Sequence, residues 1–214
     1  MNPASFSSLP ESACALGPSG SQGPDRITQN LYDAAGQLIQ IKKAMGTEIQ
    51  QAYLTNAFSQ NGKQTDVIDA NGNRTQYLYD GFNRLVRINF PSPSRAAGFD
   101  GSSQSTALGT ANSANTDDYE AYAYDANNNQ TSVRKRDGAT LTFQYDGLNR
   151  LVFKAVPTIS GIPASASRSV FFAYDLRGLQ LSAVFDSASS TQGITNTYDT
   201  LGDRKSTRLN SSHL

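Results

Sequence analysis

The chain has 214 residues, 37% hydrophobic and 17% charged, with 18 basic and 18 acidic side chains and a formal charge of zero. That balance excludes the basic stripe of a nucleic-acid binder, and no apolar run reaches the ~18 residues of a membrane-spanning helix. The lone cysteine, Cys14, has no partner for an internal disulfide.

Residues 1–22 lack the basic and apolar blocks of a leader and read as a disordered or incomplete N-terminal segment. From 23 to 202, aromatic and β-branched residues alternate with polar ones, and Gly, Asn, Asp and Ser recur at short intervals. That mixture predicts short strands joined by tight turns. A first unit is Tyr32-Asp33-Ala34-Ala35-Gly36, and degenerate copies start at Phe58-Ser59 and Ile68-Asp69. The alternating Gln76-Tyr77-Leu78-Tyr79 leads into Tyr79-Asp80-Gly81-Phe82-Asn83-Arg84-Leu85-Val86. Residues 91–118 are rich in small side chains and predict a flexible surface loop, with no helix longer than a turn or two. The rhythm resumes at Tyr122-Ala123-Tyr124-Asp125 and again at Tyr145-Asp146-Gly147-Leu148-Asn149-Arg150-Leu151-Val152. A shorter loop is predicted near 157–167, before further units at Tyr174-Asp175 and Tyr198-Asp199.

The final segment reads differently. Asp203 to His213 back-translates, in frame, to the adapter common in short-read sequencing libraries. Residues 203–214 are therefore read as adapter read-through, outside the native sequence. Without them the chain holds 15 Lys+Arg against 17 Asp+Glu and no histidine, because His213 lies in that tail. On this reading the native sequence stops in mid-repeat near Gly202, as a truncated fragment.

The units share one pattern: an aromatic residue, Asp, two variable residues, then Gly or Asn. The last position is held by Gly36, Gly62, Gly72, Asn83, Asn128, Asn149, Gly178 and Gly202. Gly and Asn tolerate positive φ best, which is what a tight hairpin turn requires. Asp33, Asp69, Asp80, Asp125, Asp146, Asp175 and Asp199 precede those sites and can accept hydrogen bonds from the turn amides. One hairpin is too small to be stable alone, so neighbours must stack.

Tyr-Asp-x-x-Gly/Asn-Arg-Leu units resemble the YD repeats of bacterial Rhs proteins, insecticidal toxin-complex C subunits and teneurins. The stretch Gly23-Pro24-Asp25-Arg26-Ile27-Thr28 resembles bacterial Rhs sequence as well. The resemblance covers roughly residues 23–202. It implies an all-β fold, a YD-repeat array of antiparallel hairpins forming part of a spiralling β-sheet shell. In relatives that shell encloses a variable C-terminal toxin. The expected partners are the rest of the same shell and its toxin, and the expected location of the parent is secreted or cell-surface. The terminal core motif with its Asp-Pro step, and the toxin domain, are missing from this sequence.

Chemical readings are sparse. Without His213 there is no side chain with the pKa of a Ser–His or Cys–His base. A carboxylate pair is weakened by the turn role of nearly every Asp. Asp69-Ala70-Asn71-Gly72-Asn73 and Asp125-Ala126-Asn127-Asn128-Asn129 show the first three ligand spacings of a calcium loop, but Arg74 and Gln130 stand where such a loop needs Gly. No catalytic residue, cofactor or metal is expected. The alternative to a shell module is a glycan-binding adhesion module, in which Tyr77, Tyr79, Tyr122, Tyr124 and Tyr145 stack on sugars.

Overall fold

The computed structural model describes residues 26–158, 161, 163 and 168–210. Fourteen strands and one helix occupy them. The first six strands are β1 (Thr28–Tyr32), β2 (Leu38–Lys43), β3 (Gln51–Phe58), β4 (Gln64–Asp69), β5 (Arg74–Tyr79) and β6 (Leu85–Pro91). Helix α1 (Gln104–Thr110) follows, then β7 (Ala114–Tyr124), β8 (Gln130–Arg134), β9 (Thr140–Tyr145) and β10 (Leu151–Ala155). The last strands are β11 (Val170–Tyr174), β12 (Gln180–Phe185), β13 (Gly193–Tyr198) and β14 (Arg204–Asn210). Strand order in the sheet follows chain order from β1 to β14. The fold is an all-β antiparallel meander. Burial alternates residue by residue in β1 and β9, as period-two side-chain placement requires.

The chain divides into two compact units, Met1–Tyr119 and Glu120–Leu214. In the first, the segment predicted as a flexible loop is instead a built cover. Strand β6 runs to Pro91, β7 begins at Ala114, and α1 sits between them. Ser103 caps α1, its hydroxyl accepting from the Thr106 amide at 3.1 Å. The cover is tied to the sheet by polar bonds. Gln40 Nε2 donates to the Gly101 carbonyl at 3.1 Å, Lys42 Nζ to Ser102 at 2.6 Å and Gln104 Nε2 to Asn56 at 2.6 Å. The Arg74 guanidinium donates to the Leu108 carbonyl, and the Asn112 amide to the Gly72 carbonyl. Phe99 lies against Gly72, where a Cβ would come within 2.7 Å of its ring. Ile68, Gln40 and Thr55 are fully buried in this region. The anchors are carbonyls, amides, one lysine and one arginine rather than an apolar stripe, so the segment carries no periodic signal of order.

In the second unit Val133 and Val184 are buried, and the Phe153 and Phe171 rings lie 4.5 Å apart. Arg168 pairs with Asp186 at 2.6 Å. The loop predicted near 157–167 falls largely outside the described residues, as do residues 1–22, with Cys14, and His213. Of the segment read as adapter-derived, residues 204–210 form β14, paired with β13 from Tyr198↔Arg204 to Gly193↔Asn210. Strand pairing uses backbone groups that every sequence except proline supplies, so the pairing leaves that reading untouched.

Candidate functional site: the turn edge

All eight predicted Gly/Asn positions have positive φ, from 60° at Asn83 to 90° at Gly202. The turn at Asp80 shows how the sequence makes them. The Asn83 amide donates to the Asp80 carbonyl and the Asp80 amide to the Arg84 carbonyl, both at 3.0 Å. Asp80 Oδ1 also accepts from the Phe82 and Arg84 amides, at 2.9 and 3.0 Å. This is a three-residue hairpin loop whose last residue is left-handed. The same backbone bonds recur at Asp33, Asp69, Asp125, Asp146, Asp175 and Asp199. In the degenerate copy, Ser59 Oγ replaces the carboxylate and accepts from the Lys63 amide. A further turn of this kind, from Lys135 to Ala139 with Gly138 at φ 89°, was not predicted. Its signal was the Asp137-Gly138 pair between alternating runs.

The turns are not all equivalent. Successive antiparallel connections lie at opposite ends of the strands. In the first unit, the turns at Asp33, Ser59 and Asp80 therefore share one edge, and the turn at Asp69 lies on the other. In the second unit, the turns at Asp125, Asp146, Asp175 and Asp199 share an edge, opposite the one at Lys135. A bulge marks the difference. In each of the seven hairpins closed by an aromatic residue, pairing shifts by one residue just before the aromatic, as in Tyr79↔Leu85 followed by Leu78↔Arg87. The hairpins turning at Asp69 and Lys135, which lack the aromatic, keep an unbroken register.

Neighbouring turns on one edge are linked. Asn61 Nδ2 donates to Asn83 Oδ1 at 3.1 Å, and Asn127 and Asn129 donate to Asn149 Oδ1 at 3.0 and 2.8 Å. Arg150 reaches the Asp175 carbonyl and Arg177 the Asp199 carbonyl, at 3.0 and 2.9 Å. Tyrosine hydroxyls add another link. Tyr79, Tyr145, Tyr174 and Tyr198 donate to the carbonyls of Gln64, Gln130, Leu151 and Gln180, at 2.9 to 3.0 Å.

Each carboxylate is held by its own turn. At Asp80, desolvation pushes the carboxyl up, but hydrogen bonds from the Arg84 amide and guanidinium and the Phe82 amide outweigh it, and the pKa is lowered. At Asp146 the Arg150 amide leads the lowering, against desolvation, with the Arg150 side chain adding to it. Asp175 is also lowered: desolvation opposes, and the Leu179 amide and Arg177 side chain prevail. A carboxyl depressed in the folded state stabilises fully above its unfolded value, and that stabilisation is lost as pH falls through the folded value. The melting temperature is therefore expected to fall as pH drops below the ordinary aspartate value of 3.8. Substituting Asn at Asp80, Asp146 and Asp175 together should flatten that dependence, because Asn keeps the amide acceptor but does not titrate. An equally steep acid profile in the triple variant would refute the assignment.

The five tyrosines singled out for sugar stacking are half-buried. Tyr79 and Tyr145 commit their hydroxyls to the neighbouring strand, and Tyr122 donates to Glu120 Oε2 at 2.7 Å. Burial, then that bond, pushes the Tyr122 phenol up to about 12. Burial also raises the phenols of Tyr79, Tyr145 and Tyr174, so they remain donors at neutral pH. Phe82, Leu148, Leu176 and Leu201, at turn tips, are instead among the best-exposed apolar side chains, together with Ile49 in the β2–β3 loop. In the two calcium-like stretches the carboxylates turn inward. Asp69 Oδ1 accepts from the Asn71 and Asn73 amides and Oδ2 from the Asn73 side chain, and Asp125 likewise holds Asn129.

These features define a class: an antiparallel hairpin-repeat protein whose joints are made at its turns. Residues 58–92 and 124–154 match the family model for the RHS repeat. Those two segments are similar to RHS repeats, and the fold of the chain is similar to that of solved TcdB2-TccC3 structures. It is similar in structure to TcdB2-TccC3-TEV, with a TM-score of 0.53 and 19% identity over 84% of this chain and 9% of that one. It is also similar to TcdB2-TccC3 without its hypervariable C-terminal region, with a TM-score of 0.54 and 19% identity over 82% of this chain and 9% of that one. A third likeness is to the Photorhabdus luminescens Tc holotoxin pore, with a TM-score of 0.53 and 19% identity over 84% of this chain and 9% of that one. The chain thus spans about a tenth of the length of the structures it resembles. No curated protein matches the sequence significantly. No helix among the described residues is long and apolar enough to cross a membrane.

Proposed function

We propose that this chain is a section of wall in an Rhs-type shell, which in the full-length parent encapsulates a C-terminal toxin and delivers it to another cell. The observation that carries the reading is the repeated joint between hairpins. Buried apolar side chains are few among the described residues (Ile27, Ile68, Ala107, Val133 and Val184). Cohesion comes from strand pairing and from turn-to-turn bonds, which extend with every added hairpin. That suits a wall of indefinite length better than a self-contained globule. The role is structural, not catalytic: the acidic side chains at the turn edge are spent on turn amides and arginines. The partners are the remaining wall and its cargo, and the parent is secreted or displayed at the cell surface.

The test is to recover the complete gene, express it whole and subject it to limited proteolysis. A domain following the repeats should resist protease while the shell is intact and become sensitive once it is opened. A parent in which the repeats end in an exposed anchor, with glycan-array binding lost on replacing Tyr122 and Tyr124, would replace this reading with adhesion.

A further inference from the structure

Where one hairpin meets the next, the backbone ladder stops short of the turn edge, and it stops at the same place in five joints. Between β2 and β3 the last pair toward that edge is Gln40↔Thr55. Between β4 and β5 it is Asp66↔Gln76, and between β8 and β9 Ser132↔Thr142. Between β10 and β11 it is Phe153↔Phe171, and between β12 and β13 Ser182↔Thr195. Each of these ends lies two residues beyond the residue opposite the preceding aromatic: Leu38, Gln64, Gln130, Leu151 or Gln180. The bulge lies between the two. A bulge bends its strand and raises the local twist, so the next hairpin diverges here and main-chain pairing lapses.

A side chain crosses every one of these gaps to the same carbonyl. Tyr79, Tyr145, Tyr174 and Tyr198 supply a hydroxyl in four. The β2–β3 joint has no hydroxyl to use, because Phe58 stands in the aromatic position. There Asn56 Nδ2 donates to the Leu38 carbonyl at 2.8 Å. Asn56 precedes Phe58 by two residues and so lies on the same strand face. The β12–β13 joint shows that both donors fit together: Asn196 Nδ2 and Tyr198 Oη both reach the Gln180 carbonyl at 3.0 Å. A carbonyl oxygen has two lone pairs to offer them.

We propose that each joint between hairpins requires one side-chain donor to the carbonyl opposite the preceding aromatic, and that a Tyr hydroxyl and the carboxamide of an Asn two residues before it are interchangeable suppliers. The hydroxyl is thus what distinguishes Tyr from Phe in this repeat, and Asn at the earlier position releases the repeat from needing it. The β12–β13 joint is doubly supplied, and the β4–β5 joint singly.

Amide hydrogen exchange on the full chain tests this. Tyr79→Phe should speed exchange in β4 and β5 roughly fivefold, the loss of one hydrogen bond of ordinary net strength. Tyr198→Phe should change β12 and β13 by less than about twofold, because Asn196 still donates. Adding Tyr77→Asn to Tyr79→Phe should restore slow exchange. Adding Asn196→Ala to Tyr198→Phe should speed exchange by more than the product of the two single effects. Equal acceleration at both joints, acceleration at neither, or failure of Tyr77→Asn to rescue would overturn the proposal. None of these outcomes depends on whether the parent encloses a cargo.

Discussion

Gly193→Ala is expected to destabilise the second unit by about 3 kcal/mol, a backbone strain and an overpacking cost together. Gly193 is buried, opens β13 and pairs with Val184. Its φ is 143°, and a Cβ there would run into the Ala183 carbonyl oxygen and come within 2.7 Å of Val184 Cα. Both neighbours are main chain, so no rotamer change relieves the collision, and the β12–β13 ladder must part. Gly36→Ala is the control: φ is 79° but the space around it is open, so only the left-handed penalty of about 1–2 kcal/mol applies. Denaturant midpoints for the two variants check this. A cost at Gly193 no larger than that at Gly36 would show that close approach of the strands is not what selects glycine.

The second large effect is expected at Asn149. Its φ is 61°, and a β-branched residue resists that region, so Asn149→Val should cost about 2 kcal/mol or more. Val also abolishes the acceptor for Asn127 and Asn129, which joins this turn to its neighbour. Asn149→Gly separates the two contributions, since it keeps the backbone and removes only the acceptor. It should cost about 1 kcal/mol, in the range of ordinary hydrogen bonds. Asn83, with φ 60° and a bond from Asn61, should behave alike. Thermal melts in which Val and Gly are equally harmful would place the effect in the acceptor and not in the main chain.

Much of this architecture was legible beforehand because its signals are local. A left-handed residue three positions after an acidic one, and a strand alternating with period two, are properties of five to eight consecutive residues. They can be read without knowing what lies across the sheet. The Asp80 and Asp146 turns are of this kind, and so is the alternation in β9. The turn at Lys135 is also local but lacks the Tyr-Asp pair that marks the repeat. The cover over the first unit was not legible. Residues 92–113 look like linker because Gly101, Ser102 and Leu108 contribute carbonyls, which every residue has. The donors that find them, Gln40, Lys42 and Arg74, lie more than thirty residues away.

The tyrosines show the same division within a single residue. Their recurrence marked them as important, and sugar stacking was one reading of why. Only the neighbouring strand revealed that Tyr79 and Tyr145 aim their hydroxyls at Gln64 and Gln130. The bulge that makes room for this is a mismatch between two strands, so neither strand encodes it alone.

Sequence by itself therefore determined the all-β class, the position of the eight Gly/Asn reversals and the backbone conformation at their tips, because steric limits on φ act within a few bonds. Tertiary structure decided which turns share an edge, where the ladder lapses, which side chains bridge the lapse and what covers the first unit. Those depend on distances between residues far apart in the chain, and such distances exist only once the strands have paired.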